Sequence, residues 1–463
     1  MAWRDRDHTR GSLFVSLWVL ALPLLAQSGG GVTFQLVDLE FVSRLGEDAT
    51  TAVVVTNQAL RQLFFMLVMG ASFGAQGLIA RRVGEGRIEA AEHTAGQVVV
   101  LGLFASLGIA LLGACFAPQM LAALHVSPQV HAIGVPYARL VLVLNFGFVF
   151  LFLFNAILNG AGDSATPLLV SLTQSACALL AEWCLIFGKL GAPALGVRGV
   201  VLGLAAGQLV AAGLALRVLF RGRSRVHLRR HHLVPDPAVM RRIVALSWPP
   251  ALQMLGAFLV NVFFIRLVGD LGAQAQAAYS IGLRLSMVGP MLAFPLAGAC
   301  STLVGQNLGS GDVGRAWRSI GVGLAAHVAL LWTLALGLVV FRREIMGVFA
   351  SNPEVIAIGS EMLLYQAGTF AAWAFFFVFF RALQGAGDVA VPMLISLATS
   401  LLVTLPLGLW LSSDAGLGWG PTGVFAATFA GGLSVTAATG AWLATGRWTR
   451  RARARATAPA ARR

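Results

Sequence analysis

Residues 159–176, NGAGDSATPLLVSLTQSA, return 225 positions later as QGAGDVAVPMLISLATSL at 384–401, with 10 of 18 residues identical. Among the identities are Gly160/Gly385, Gly162/Gly387, Asp163/Asp388 and Pro167/Pro392. Each copy reads as a Gly-Ala-Gly-Asp turn that closes one apolar run and, through a proline suited to a first helical turn, opens another. A second pair of loops, starting from Gly74 and Gly298, supports the same register: Gly84 and Gly86 fall on Gly309 and Gly311. The offset is close to half of the 463 residues. The chain is an internal duplication, and its fold must be built twice.

Composition says in which solvent. Hydrophobic residues make up 57% of the chain, charged residues only 11%, and the mean hydropathy is +0.80. So few charges cannot cover a water-soluble protein of this length, which leaves the bilayer. Windows of about 20 apolar residues, the length of one span, fall near 13–33, 51–73, 94–116, 132–158, 164–187, 195–220, 243–266, 277–303, 317–341, 357–384, 389–411 and 420–445. Their interruptions are single Gly, Pro and polar residues, not ten-residue alternations, so a helical bundle is predicted and not a barrel. The predicted class is an all-α integral membrane protein with twelve transmembrane helices in two pseudo-symmetric six-helix bundles. Residues 13–220 form one lobe, 221–242 a basic linker, and 243–445 the other lobe, flanked by an N-terminal segment 1–12 and a basic tail 446–463. An even helix count per half makes the repeats parallel, related by an axis along the membrane normal. A cleaved signal peptide ending near Ala26 would leave an odd count and break that symmetry.

Lys and Arg set the orientation. Loops assigned to one side, including Arg81, Arg82, the run from Arg217 to Arg242 and the arginines from Arg447 onward, hold 23 of them; the opposite loops hold 6. The positive-inside rule then places both termini and the linker in the cytoplasm, in the cell membrane. The net charge of +14 is thereby spent on topology and anionic lipid. A nucleic-acid partner is not expected, because HLRRHH (His227–His232) has no fold or stacking aromatics around it.

Polar residues mark where the lobes are wet. Gln27, Gly31, Gln35 and Asp38 share one helical face in the first span. Asp38 is either an inward-facing acid or a helix-end residue at the outer interface. The fourth span carries Asn145, Asn155 and Asn159, the fifth Gln174 and Glu182, and the sixth Gln208. The second half offers Gln253, Asn261, Gln366 and Thr369 but no deep acid. Gln35, Asn155, Gln174, Gln208, Gln253, Asn261, Arg284 and Thr369 are expected to line a central cavity, because amides facing lipid are costly. Asp38 and Glu182 are expected to share a proton or bind one small cation between them, since two carboxylates in a low-dielectric pocket do not both ionise cheaply. Arg61 and Arg284 lie within spans and either face a cavity or snorkel outward, with Glu40 or Glu47 as pairing options for Arg61. Cys115, Cys177, Cys184 and Cys300 lack CxxC spacing and the histidines lack HExxH, so neither an enzyme nor a metal or other cofactor site is expected.

At this point the chain resembles the multidrug and toxic compound extrusion transporters. The resemblance rests on Val304-Gly305-Gln306-Asn307-Leu308-Gly309, on Leu271-Gly272 leading into AAYSIGLRL, on the two GAGD…P turns and on AEWCLIFG, and covers roughly residues 15–445. It implies export of small organic cations or lipophilic drugs in exchange for protons or sodium, by a monomer with two alternating lobes. The family's first-helix acid matches Asp38 and its fifth-helix acid matches Glu182. Acids that one branch carries on the seventh and tenth helices are absent here, which resembles the prokaryotic damage-inducible branch with its coupling site in the N-terminal lobe. Two departures stand out: Glu replaces the usual Asp at 182, and Ala178 stands where an Asn is common. A related possibility is a flippase of lipid-linked oligosaccharides, with Arg61 and Arg284 suited to a pyrophosphate.

Overall fold

The structure is a computed structural model, and it describes residues 7–124, 126–222 and 224–449. Most of the basic tail, from 450 onward, and residues 1–6 of the N-terminal segment lie outside the described residues. Eleven helices are long and apolar enough to cross a membrane, and a twelfth span is a bent pair. In chain order they are α1 (Leu13–Ser43), α2 (Glu47–Gly84), α3 (Ile88–Ala122), α4 (Pro128–Val143 continued by Phe146–Ala161), α5 (Ala165–Phe187) and α6 (Val197–Phe220). The second set is α7 (Pro237–Asp270), α8 (Ala273–Gly309), α9 (Val313–Val340), α10 (Pro353–Gly385), α11 (Ala390–Ser412) and α12 (Pro421–Ala444). Exposed Leu103, Phe104, Leu107 and Leu111 make an apolar stripe along α3. A surface of that kind suits hydrocarbon, so the chain is a multi-pass membrane protein.

The duplication is exact in register where the turns are tight. α5 and α11 begin at 165 and 390 and end at 187 and 412, each pair 225 apart. The Gly-Ala-Gly-Asp stretch ends one helix and caps the next. Gly162 and Gly387 take φ of 91° and 78°, a left-handed turn that a side chain would strain. Asp163 N reaches Leu158 O at 2.9 Å and Gly162 N reaches Asn159 O at 3.1 Å; Asp388 and Gly387 repeat both bonds to Leu383 and Gln384, at 2.8 Å each. This is the Schellman closure of a helix. Asp163 then caps α5 by accepting from Thr166 N at 3.0 Å. Its counterpart Asp388 has Val391 in place of that threonine and accepts from the Trp442 indole at 3.1 Å.

One difference between the repeats matters for the site. α10 is one unbroken helix, whereas α4 is broken and bends by 44°. At the bend stands Asn145, whose amide donates to Ser106 O at 3.0 Å and to Leu142 O, while its Oδ1 accepts from Ser106 Oγ at 2.9 Å. A side chain competing for backbone carbonyls breaks the helical ladder. The position 225 residues on is Phe370, which cannot compete.

The chain forms two compact units, residues 19–251 and residues 252–449 together with 8–18. The boundary lies inside α7, next to Pro249–Pro250, and not in the expected 221–242 linker. The reason is close packing. A Cβ on Gly70 would stand 2.6 Å from Ser247 O, and one on Gly74 2.9 Å from Leu246 O, so the first half of α7 belongs with α2. The linker is also shorter than expected, because α7 begins at Pro237 and a 3-10 turn occupies Arg230–Leu233. It lies on the first turns of α3. Gln97 donates to His232 O (2.9 Å) and Val234 O (2.7 Å) and accepts from Asp236 N (2.8 Å). Glu92 accepts from His227 N at 2.9 Å.

Candidate functional site: an acid pair with an arginine

Four spans of the first unit bring together α1 Asp38, α2 Arg61, α4 Tyr137 and α5 Glu182. The carboxyls of Asp38 and Glu182 face one another within interaction range, Arg61 acts electrostatically on both, and Tyr137 lies within the field of all three. Glu182 is fully buried. Neither of its oxygens, nor Asp38 Oδ1, makes a well-formed hydrogen bond. The two acids are therefore neighbours without being bonded partners, although a longer side-chain interaction links them. Burying such oxygens costs free energy unless a proton or cation meets them.

Glu182 is placed by glycines. α6 carries Gly199, Gly203 and Gly207 at a spacing of four, and a Cβ on them would stand 2.7, 2.5 and 2.6 Å from atoms of Leu185, Glu182 and Ala178. Small residues at that spacing let helix backbones touch in a membrane. Arg61 is placed by a π-helical turn over Thr56–Arg61 within α2, a local underwinding frequent at functional positions. From the same turn Asn57 donates to the Tyr137 hydroxyl at 3.1 Å. Arg61 lies over the Phe148 ring, its guanidinium carbon 4.7 Å from the centroid. With Asn145, Phe148 and Gln208 it lines an internal pocket between α2, α4 and α6. Glu40, offered above as its partner, pairs with Arg44 at 2.9 Å instead.

The remaining expected residues divide between the units. In the first, Gln208 is buried in that pocket, Asn155 and Gln174 are half-buried, and Gln35 is exposed. In the second, Gln253 donates to Ser396 Oγ at 2.6 Å and Thr369 is buried and donates to Tyr365 O at 3.0 Å. Asn261 is half-buried and Arg284 exposed. None of these joins the acid pair except through the pocket that Gln208 shares with Arg61. Positions 225 residues beyond Asp38, Arg61, Tyr137 and Glu182 are Phe263, Ser286, Met362 and Leu407, so the second repeat has no charged equivalent. Sequence reasoning missed Arg61 and Tyr137 as neighbours of the acids, and the close approach of α6 to Glu182. The stripe Gly199/Gly203/Gly207 was the visible signal.

A second cluster sits where the linker meets α3. Glu89 Oε1 lies 3.4 Å from His231 Nε2 and 3.2 Å from His232 Nε2, and the three groups are close enough to share a metal ion. His232 Nδ1, however, accepts from Arg229 N at 3.2 Å, so in the neutral ring the hydrogen is on Nε2. That nitrogen then donates to Glu89 and is not offered to a metal, and the cluster works as a latch. Beside it, the His93 ring 3.1 Å from Asp236 holds that carboxyl below its usual range, helped by the Val239 and Ala238 amides.

Comparison with known proteins agrees with this architecture. The MatE family model matches residues 23–183 and 249–410, once per repeat. The chain is 27% identical over 84% of its length, and 83% of the other's, to "Probable multidrug resistance protein NorM" of Thermotoga maritima. It is 22% identical over 81% of its length, and 82% of the other's, to "FAD transporter" of Shewanella oneidensis. A solved structure described as MATE in the bent conformation superposes with a TM-score of 0.88 at 18% identity, covering 96% of this chain and 98% of that one. The fold is thus that of the MATE structures, and the chain belongs to the MatE family, a family of transporters and not of enzymes.

Proposed function

We propose that the chain is a secondary antiporter that expels small organic cations or lipophilic drugs across the cell membrane in exchange for protons, by alternating access of its two lobes. One observation carries the reading: Asp38 and Glu182 meet in the first unit, Glu182 buried with both oxygens unbonded, while the matching positions of the second repeat are neutral. A symmetric scaffold has no use for such an asymmetry, whereas a coupling site does. A proton suits the pair better than sodium, which needs several oxygens around it; Ala178 offers no side-chain oxygen where an amide would help. The multidrug names of relatives support an organic substrate. Both termini are cytoplasmic, as the arginine distribution implies, and the transporter works as a monomer in contact with lipid but not nucleic acid.

The flippase reading is weaker, because Arg61 already faces two carboxyls that offset its charge and compete with a pyrophosphate. Inside-out vesicles test the proposal. Fluorescent organic cations should accumulate on acidification of the lumen, and a sodium gradient alone should not drive them. Accumulation driven by sodium but not protons would overturn the ion assignment, and no accumulation under either gradient would overturn cation export.

A further inference from the structure

Arg61 is a fixed positive charge inside the membrane, and an intramembrane arginine is retained only for a purpose. Its berth is defined on one side by the face of Phe148, 4.7 Å away, and by the amides Asn145 and Gln208 of the same pocket. On the other side it feels Asp38 and Glu182, yet both Glu182 oxygens remain unbonded. The guanidinium thus rests on a ring while two carboxyls, Glu182 buried and Asp38 half-buried, stand within its field. Attraction to an aromatic face is weaker than a contact with an ionised carboxylate in the same setting.

The charge states follow. When the acids share a proton they carry one negative charge, and Arg61 balances it from a distance. When the proton leaves, the pair carries two, in a pocket where, among the described residues, Tyr137 is the only other titratable group acting on Arg61 and where α6 contributes neutral Gly203 and Gln208. We propose that Arg61 is a tethered counter-cation: on proton release its guanidinium leaves Phe148 for the Asp38–Glu182 pair, and on proton binding it returns to the ring. This inference rests on the proton-antiport reading and adds a specificity-determining residue to it. By taking the proton's place, Arg61 spares the emptied site from needing sodium. The swing is a positioning step: no bond is made or broken, and the proton goes to water.

Infrared spectroscopy of the purified protein tests this without substrate or gradient. The carbonyl band of the protonated acid, identified by its loss in Glu182→Gln, should vanish on alkalisation of the wild type. In Arg61→Gln its midpoint should move at least about one pH unit to the alkaline side, the effect of removing a nearby opposite charge. Arg61→Lys should restore it, and Phe148→Leu, which removes the berth but keeps the charge, should move it to the acid side. Should Arg61→Gln fail to fold, the Lys and Leu variants carry the test. An unmoved midpoint in Arg61→Gln, a Lys variant displaced as far as Gln, or an unmoved Phe148→Leu would overturn the proposal. A displaced midpoint in a protein whose vesicles show no proton-driven export would instead overturn antiport and leave the charge coupling standing.

Discussion

Gly203→Ala adds one methyl group where α6 crosses Glu182. Its Cβ would stand 2.5 Å from Glu182 N, 2.5 Å from Cγ and 2.6 Å from Cα. Optimal carbon separations are about 3.5–4.0 Å, so α5 and α6 must part by roughly 1 Å. Two of the three clashing atoms are backbone, and no rotamer relieves them. Overpacking of this kind costs about 1–3 kcal/mol, partly offset by the roughly 1 kcal/mol that alanine gains over glycine in a helix. Gly213 on the same helix is the control, since a Cβ there meets nothing within 4 Å. Thermal melts in detergent should show Gly203→Ala less stable than wild type and Gly213→Ala equal or more stable. In vesicles the first should also lose proton-driven export, because Glu182 moves with its helix. If the two variants melt and transport alike, the close crossing does not position the acid.

The linker supplies two more predictions. Gln97→Ala removes three hydrogen bonds that hold residues 232–236 on α3; trypsin should cut at Arg229 or Arg230 faster than in the wild type, and an unchanged rate would show that the latch rests elsewhere. Asp236 has a depressed folded-state value, so its stabilising contribution is present above the ordinary carboxylate value of 3.8 and is lost as pH falls through the lower folded one. Wild-type melting temperature should therefore drop more steeply below pH 4 than that of Asp236→Ala, by an amount matching under about 1 kcal/mol for this half-exposed pair, and parallel curves would contradict the assignment.

Much of the fold was written in the chain. Pro128 and Pro353, both at first-turn positions after Ser127 and Asn352 caps, open α4 and α10 at the same register, and the Gly-Ala-Gly-Asp turns close them. Such local signals need only a few neighbouring residues. Asp38 and Glu182 were legible as candidates because deep acids are rare in so apolar a chain. Their encounter with Arg61 was not, since a π-helical turn rotates the end of α2 off the 3.6-residue period on which face assignments depend. The docking of the basic linker is not legible in the sequence because its partners, Glu92 and Gln97, lie more than a hundred residues earlier. Gln35 and Arg284 show a further limit. Their helical faces were visible, but periodicity does not say what those faces meet, and both are exposed.

The acid pair is tested most directly by uptake of a fluorescent organic cation into inside-out vesicles bearing Asp38→Asn or Glu182→Gln, with protein amount and melting temperature matched to wild type. Each variant should lose uptake driven by the proton gradient while remaining folded in the membrane. Wild-type coupling retained in both variants would contradict the assignment of the coupling proton to Asp38 and Glu182.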